Sequence, residues 1–106
     1  MAPRVEFLWW SECPSWERAL AGLREAMAEA GLDPESIVER EIVTEADAEG
    51  EGFPGSPTIR VDGADVAPVE GEPQGLTCRV YRRRGGRVSP LPDPQDVRAA
   101  LAAAAG

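Results

Sequence analysis

Residues 5–16 have the sequence VEFLWWSECPSW, and this stretch decides the fold. Its first half is aromatic, aliphatic or β-branched apart from one Glu, which predicts a first strand that is buried on both faces towards its end. The next four residues form a turn, and Pro14 suits the first position of a helix because its missing N–H would be unbonded there anyway. Cys13 is therefore expected between a strand and the N-terminus of a helix.

The rest of the chain alternates helices with strands. The first helix shows apolar residues at helical spacing and ends at Gly31, which suits the left-handed position after a helix. The further predicted elements are a strand over 37–44, a weak helix over 45–53, strands over 58–61 and 76–83, and a final helix with Asp93 as N-cap and Pro94 as first residue. A loop rich in Pro, Gly and acids, 63–75, joins the last two strands.

This order predicts a single α/β domain over residues 1–106. Strands joined through a helix are expected to pair in parallel through a right-handed crossover. The strands over 58–61 and 76–83 most simply form an antiparallel hairpin. Together they predict a β-α-β-α-β-β-α order and a small mixed sheet of four strands.

Composition excludes several kinds of site. The chain has no His and no Lys, so no Ser-His-Asp triad, His-based zinc or haem site, or Schiff-base lysine exists within it. A net charge of -8 makes it a poor nucleic-acid binder, and no apolar run approaches the roughly 20 residues of a membrane span. The N-terminal stretch lacks the features of a signal peptide, so the cytoplasm is expected, where thiols stay mostly reduced.

Five of the eleven arginines lie in residues 79–87, with no acid among them. One interpretation is a solvated strand edge, where charge discourages edge-to-edge pairing. The other is a site for an anion or an acidic partner. If the hairpin of 58–61 with 76–83 has the simplest register, Arg82 to Arg84 approach the Cys13 end of the sheet and can attract an anionic thiol.

Cys13 is the main candidate for chemistry. A sulfur beside a helix N-terminus is stabilised as the thiolate, which is the nucleophilic form. Glu12 and Glu17 would oppose this if they pointed at the sulfur. The alternative is an inert, small buried residue.

Gly55-Ser56-Pro57-Thr58 is the second notable stretch, because Pro57 directly precedes a predicted strand. A cis bond at Pro57 would leave the backbone N–H and C=O of Ser56 open to pair with an extended ligand beside Cys13. The alternative is an ordinary turn proline.

The Cys13-Pro14 turn and the Ser56-Pro57-Thr58 stretch, in this order, resemble the thioredoxin/glutaredoxin-like superfamily. The resemblance spans about Val5 to Ala104. More narrowly, GFPGSPTIRVDG (52–63) followed by GLTCRVYR (75–82) looks like a group of small bacterial thioredoxin-like proteins. It implies a thioredoxin-like sandwich in which Cys13 is the nucleophile and Pro57 is a cis-proline packed against it.

The chain departs from the C-x-x-C motif, since it has Cys13-Pro14-Ser15-Trp16. A local dithiol cycle cannot close without a second thiol. The expected activity is thiol–disulfide exchange of monothiol type with a protein or small-molecule thiol or disulfide, with no resident cofactor and with glutathione or another small thiol as co-substrate. The residues expected to contact the substrate are Pro14, Ser15, Trp16, Ser56 and Thr58.

Cys78 is a possible resolving thiol. The simple hairpin places it away from Cys13 as a buried sheet residue, so pairing requires the 63–75 loop to fold back over the Cys13 end. Two other functions remain open at this point: a binding module without catalysis, and a soft-metal site for mercury or copper formed by Cys13 and Cys78. The three tryptophans near Cys13 either pack in the core or form an apolar docking surface.

Overall fold

The computed structural model describes residues 2–68, 71 and 73–105. Residues 69, 70 and 72 of the predicted loop lie outside this set. In chain order the elements are β1 (Val5–Trp9), α1 (Trp16–Glu29), a 3₁₀ turn (Pro34–Ser36), β2 (Val38–Glu41), α2 (Glu45–Glu51), β3 (Thr58–Val61), β4 (Ala64–Asp65), β5 (Tyr81–Arg82), β6 (Val88–Ser89) and α3 (Pro94–Ala105).

The main sheet has four strands in the order β2-β1-β3-β4. β1 pairs in parallel with β2, as the helical connection between them predicts. On its other side β1 pairs antiparallel with β3, so that Phe7 lies opposite Ile59. The α/β class and the four-stranded mixed sheet are therefore confirmed.

The fourth strand is not the one that the sequence predicted. Asp62 and Gly63 have positive φ angles of 51° and 84°, and this two-residue turn leads β3 directly into β4. β4 thus takes the edge position expected for residues 76–83. Within 76–83 only β5 is a strand, and it pairs with β6 in a separate two-stranded sheet.

Two apolar clusters flank the main sheet. The larger cluster combines β1, β3, α1 and α3, and its buried members include Val5, Phe7, Leu23, Ile59 and Leu101. The smaller cluster contains Leu8, Ile42, Ala48 and Phe53, with Trp10 and Leu76 packed against it. Alternate residues of β1 thus contribute to different clusters, as the pleat of a strand requires.

The helix ends combine confirmed and unexpected features. α1 begins at Trp16, two residues later than expected, and Ser15 is its N-cap. Asp93 caps α3 as predicted, since its Oδ1 accepts a hydrogen bond from the N–H of Gln95 at 2.9 Å. α2 starts with a reciprocal capping box between Thr44 and Asp47. Within the described part of the chain, every helix is too short or too polar to cross a membrane.

Candidate functional site

Cys13 lies in the turn between β1 and α1. Its N–H donates to the carbonyl of Trp10 at 3.0 Å, which closes the turn. The residue is only 1% exposed, and its thiol donates to the carbonyl of Ser56 at 3.4 Å. Cys13 stands two residues before the N-cap of α1, so it is close to the positive end of the helix dipole.

Ser56 connects the surrounding segments. The peptide bond between Ser56 and Pro57 is cis, and Ser56 is fully buried. Its hydroxyl accepts a hydrogen bond from the N–H of Trp10 at 3.0 Å, and its carbonyl accepts from the Cys13 thiol. The loop before β3 is thereby tied to the turn that carries Cys13.

Cys78 lies beside Ser56, which corrects the expected position in the sheet. The two residues form an isolated parallel bridge. The N–H of Ser56 donates to Thr77, and its carbonyl accepts from the N–H of Arg79, both at 2.8 Å. Cys78 is exposed rather than buried. Because β4 takes the sheet edge, the chain is free to return to the Cys13 end.

The backbone groups of Ser56 were expected to be open to an extended ligand, and this expectation is wrong. Thr77 and Arg79 of the same chain occupy them. The segment 77–79 therefore lies where a substrate strand was expected to pair. Its central residue carries a thiol, so the chain presents its own cysteine to Cys13.

The two thiols interact directly. Both cysteines are free, with Cys13 buried and Cys78 exposed. A hydrogen bond from Cys78 to Cys13 raises the pKa of the Cys78 thiol above its ordinary value. Partial burial and the charge of Cys13 raise this pKa further. Loss of the proton from Cys78 is therefore disfavoured.

Arg79 anchors the segment that carries Cys78. The residue is 2% exposed, so its guanidinium needs internal partners. Nη1 lies 2.8 Å from Oδ2 of Asp65, and Nη2 donates to the carbonyl of Ala67 at 2.6 Å. Nη1 also donates to the hydroxyls of Thr58 and Tyr81, at 3.4 and 3.2 Å. The side chain thus links the Cys78 segment to β3, β4 and β5.

Two further residues fit this anchor to the loop before β3. The hydroxyl of Tyr81 donates to the carbonyl of Pro57, and the Tyr81 ring lies 4.5 Å from the guanidinium carbon of Arg79. Gly55 has a φ of +136°, and a Cβ at this position would lie 3.0–3.1 Å from Arg79. Glycine at position 55 therefore permits the close approach of the two segments.

The other predicted site residues have mixed positions. Trp16 stacks on Trp9 with ring centroids 4.0 Å apart, and both pack against the larger cluster, which favours core packing over a docking surface. Thr58 is fully buried within β3, and its hydroxyl donates to the carbonyl of Gly55 at 2.6 Å. Ser15 is buried, while Pro14 is exposed next to the cysteine.

The hairpin register that would bring Arg82 to Arg84 towards Cys13 is absent, because residues 76–83 do not pair with β3. Arg84 instead reaches the start of α3, where its Nη2 lies 2.9 Å from Asp96. Its N–H donates to Asp93 at 2.9 Å. The backbone N–H groups of Arg84 and Gln95, with the nearby guanidinium charges, hold the pKa of Asp93 below its usual range despite partial desolvation.

Sequence reasoning missed the anchor around Arg79. Arg79 belongs to a basic strip whose composition is typical of a solvated surface, and its partner Asp65 is an ordinary acid in a loop-like stretch. The adjacency of Cys78 and Arg79 in the sequence was the one available signal, but it acquires meaning only when the chain returns to Ser56.

Comparison with known proteins finds no family model that matches the chain, no similar curated protein and no similar solved structure. Among the described residues, no group of three or more His, Cys, Asp or Glu side chains is arranged to hold a metal ion. The chemistry of the site is therefore argued from the two cysteines and their surroundings.

Proposed function

We propose that this protein is a thiol–disulfide oxidoreductase with a thioredoxin-like fold, in which Cys13 and Cys78 form the redox pair. The single observation that carries the proposal is the placement of Cys78 beside Ser56, whose carbonyl also receives the Cys13 thiol. The missing cysteine at Trp16 is thereby replaced by a thiol from a remote segment.

The local chemistry supports exchange between these thiols. A thiolate is the attacking species in thiol–disulfide exchange, and Cys13 precedes a helix N-terminus, which favours negative charge. Cys78 is exposed and lies beside Ser56, whose carbonyl accepts the Cys13 thiol, so we expect a disulfide substrate to oxidise the pair to one disulfide. The reaction yields a Cys13–Cys78 disulfide and two thiols from the substrate.

The thioredoxin-like assignment is supported by local features and is part of the proposal. Cys13 follows the first strand and precedes the first helix, and a cis-proline at position 57 precedes an antiparallel strand beside it. The substrates proposed are a protein or a small-molecule thiol or disulfide, with glutathione as one candidate. The burial of Cys13 and the cis-proline beside it also distinguish this site from a pair of surface cysteines.

The proposal is tested by oxidising the protein with glutathione disulfide and adding a dithiol peptide. We expect mass spectrometry to show a Cys13–Cys78 disulfide, and the oxidised protein to transfer this disulfide to the peptide. Cys13→Ser and Cys78→Ser are the matched controls, and each should abolish the transfer. A folded wild-type protein that forms no internal disulfide would contradict the proposal and favour a binding module without catalysis.

The same pair of thiols favours a second candidate function, the binding of a soft metal ion such as Cu(I) or Hg(II). Two cysteines without a third ligand among the described residues would give a two-coordinate thiolate site. Titration of the reduced protein with Cu(I) should then show one equivalent bound tightly, and either serine variant should lose it. If only one of the two serine variants lost Cu(I) binding, the result would contradict a site shared by both thiols.

A further inference from the structure

We propose that Cys78, and not Cys13, is the thiol that exchanges with the substrate, and that Cys13 is the buried thiol that resolves the mixed disulfide. This assignment rests on the proposed function and reverses the roles that the position of Cys13 in the sequence predicted.

The two sulfurs differ in how accessible they are to a substrate. Cys13 is 1% exposed, its N–H and thiol both bond within the protein, and the segment 77–79 is paired over Ser56 beside it. Because Cys13 is buried, a substrate can reach its sulfur only after a local rearrangement of the chain. Cys78 is exposed, and its neighbours Thr77 and Val80 are exposed as well. A disulfide can therefore approach Cys78 without a change of the fold.

The raised pKa of Cys78 lowers the fraction of this thiol that is ionised near neutral pH. Exposure, and not acidity, therefore carries the assignment of Cys78 as the attacking thiol.

The complete exchange with glutathione disulfide has two steps. The Cys78 thiolate attacks one glutathione sulfur, the glutathione S–S bond breaks, and the first glutathione leaves as a thiolate that takes up a proton. The Cys13 thiolate then attacks the Cys78 sulfur of the mixed disulfide. The second glutathione leaves, also as a thiolate that is protonated, and the protein disulfide remains. The protein dithiol is oxidised and glutathione disulfide is reduced to two thiols.

The serine variants test this order with glutathione disulfide as the probe. We expect Cys78 in the Cys13→Ser protein to form its glutathione adduct about tenfold faster or more than Cys13 in the Cys78→Ser protein, because Cys13 must wait for local opening. Each rate is divided by the thiolate fraction, which the absorbance of the thiolate measures as a function of pH in the same variant. This correction separates access from the change in the pKa of Cys78 when Cys13 is removed.

Mapping of the wild-type protein keeps the test independent of how the variants fold. Trypsin places Cys13 in the peptide 5–18 and Cys78 in the peptide 61–79. After brief oxidation and an acid quench, the first glutathione adduct should lie on 61–79. An adduct on 5–18 that is followed by the internal disulfide would overturn this inference and leave the proposed function intact. Absence of the internal disulfide after prolonged oxidation would overturn both.

Discussion

The two segments that carry the cysteines are held in place by different forces. Cys13 lies between β1 and α1, whose apolar residues fill the larger cluster. Cys78 lies in residues 76–80, outside the regular strands, where polar contacts to Glu45, Ser56 and Asp65 hold the chain. Apolar packing thus predominates around Cys13, and polar contacts predominate around Cys78, although Leu76 also packs against the smaller cluster. We therefore expect substitutions in the polar contacts to displace Cys78 with little effect on the packing of β1 and α1.

The largest expected effect comes from breaking the packing around Cys13. Leu23 of α1 is 1% exposed, and Leu23→Ala should lower the free energy of unfolding by about 3 kcal/mol, because it leaves a cavity in the larger cluster. Urea unfolding measures this change. Val43→Ala, at a site that is 58% exposed, is the control and should stay within about 0.5 kcal/mol. Equal losses in both variants would contradict the described core.

Breaking the polar anchor should have a smaller effect on stability and a specific effect on redox chemistry. Arg79→Met leaves Asp65 without its ion pair, and since Asp65 is partly exposed the loss should be about 2 kcal/mol, below the roughly 3–5 kcal/mol of a fully buried pair. Cys78 is then held less firmly beside Cys13. The equilibrium with glutathione should shift towards the reduced protein, and alkylation of Cys13 should become faster.

Arg82→Met is the matched control for that experiment, because Arg82 is exposed and lies in the same basic strip. It should leave both the glutathione equilibrium and the alkylation rate of Cys13 unchanged. If Arg79→Met behaves like this control, then the guanidinium does not position Cys78. That result would contradict the view that polar contacts hold the Cys78 segment in place.

A still smaller change tests the close approach of the two segments. Gly55→Ala adds a Cβ about 3.0 Å from Arg79 at a φ of +136°, so the backbone is strained and Arg79 must move. We expect a loss of about 1–2 kcal/mol in the free energy of unfolding, together with weaker Cys13–Cys78 disulfide formation. Gly85→Ala is the control, since its Cβ would enter open space. Similar effects of the two substitutions would argue against the close approach.

The smallest expected effect on stability concerns Asp93 at the start of α3. Its side chain accepts a hydrogen bond from the N–H of Arg84, which follows β5. The pKa of Asp93 is lowered in the folded state, so its contribution to stability is present above the ordinary Asp pKa of about 3.9 and is lost as the pH falls through the lower, folded value. Unfolding measured against pH should show that the advantage of wild type over Asp93→Asn shrinks in this acidic range. A pH-independent difference would contradict the role of the charge.

Local patterns predicted the parts of the molecule that depend on local forces. The first strand, the first helix and the cap at Asp93 follow from hydrophobic periodicity and capping chemistry, so they could be identified from neighbouring residues alone. The parallel pairing of β1 with β2 follows from the helix between them.

The position of Cys78 could not be predicted in this way. It depends on which strand pairs with β3, and the turn at Asp62 gives that place to β4. A prediction based on strand propensity over 76–83 cannot detect this competition. The anchoring of Arg79 is also non-local, since a buried guanidinium in a basic strip is recognisable only through partners elsewhere in the chain. The sequence therefore identified Cys13 and named Cys78 as a possible resolving thiol, but it did not predict the contacts that bring the Cys78 segment to Ser56.

The separation of the two cysteines along the chain has a thermodynamic consequence. A disulfide in a C-x-x-C motif closes a very short loop, whereas a disulfide between Cys13 and Cys78 would join residues 65 positions apart. Such a cross-link removes loop-closure entropy from the unfolded chain and would stabilise the folded state by about 4 kcal/mol. Oxidation and folding are then linked equilibria. The free energy of unfolding would therefore be higher in the oxidised protein and lower in the reduced protein, and would change with each redox turnover of this pair.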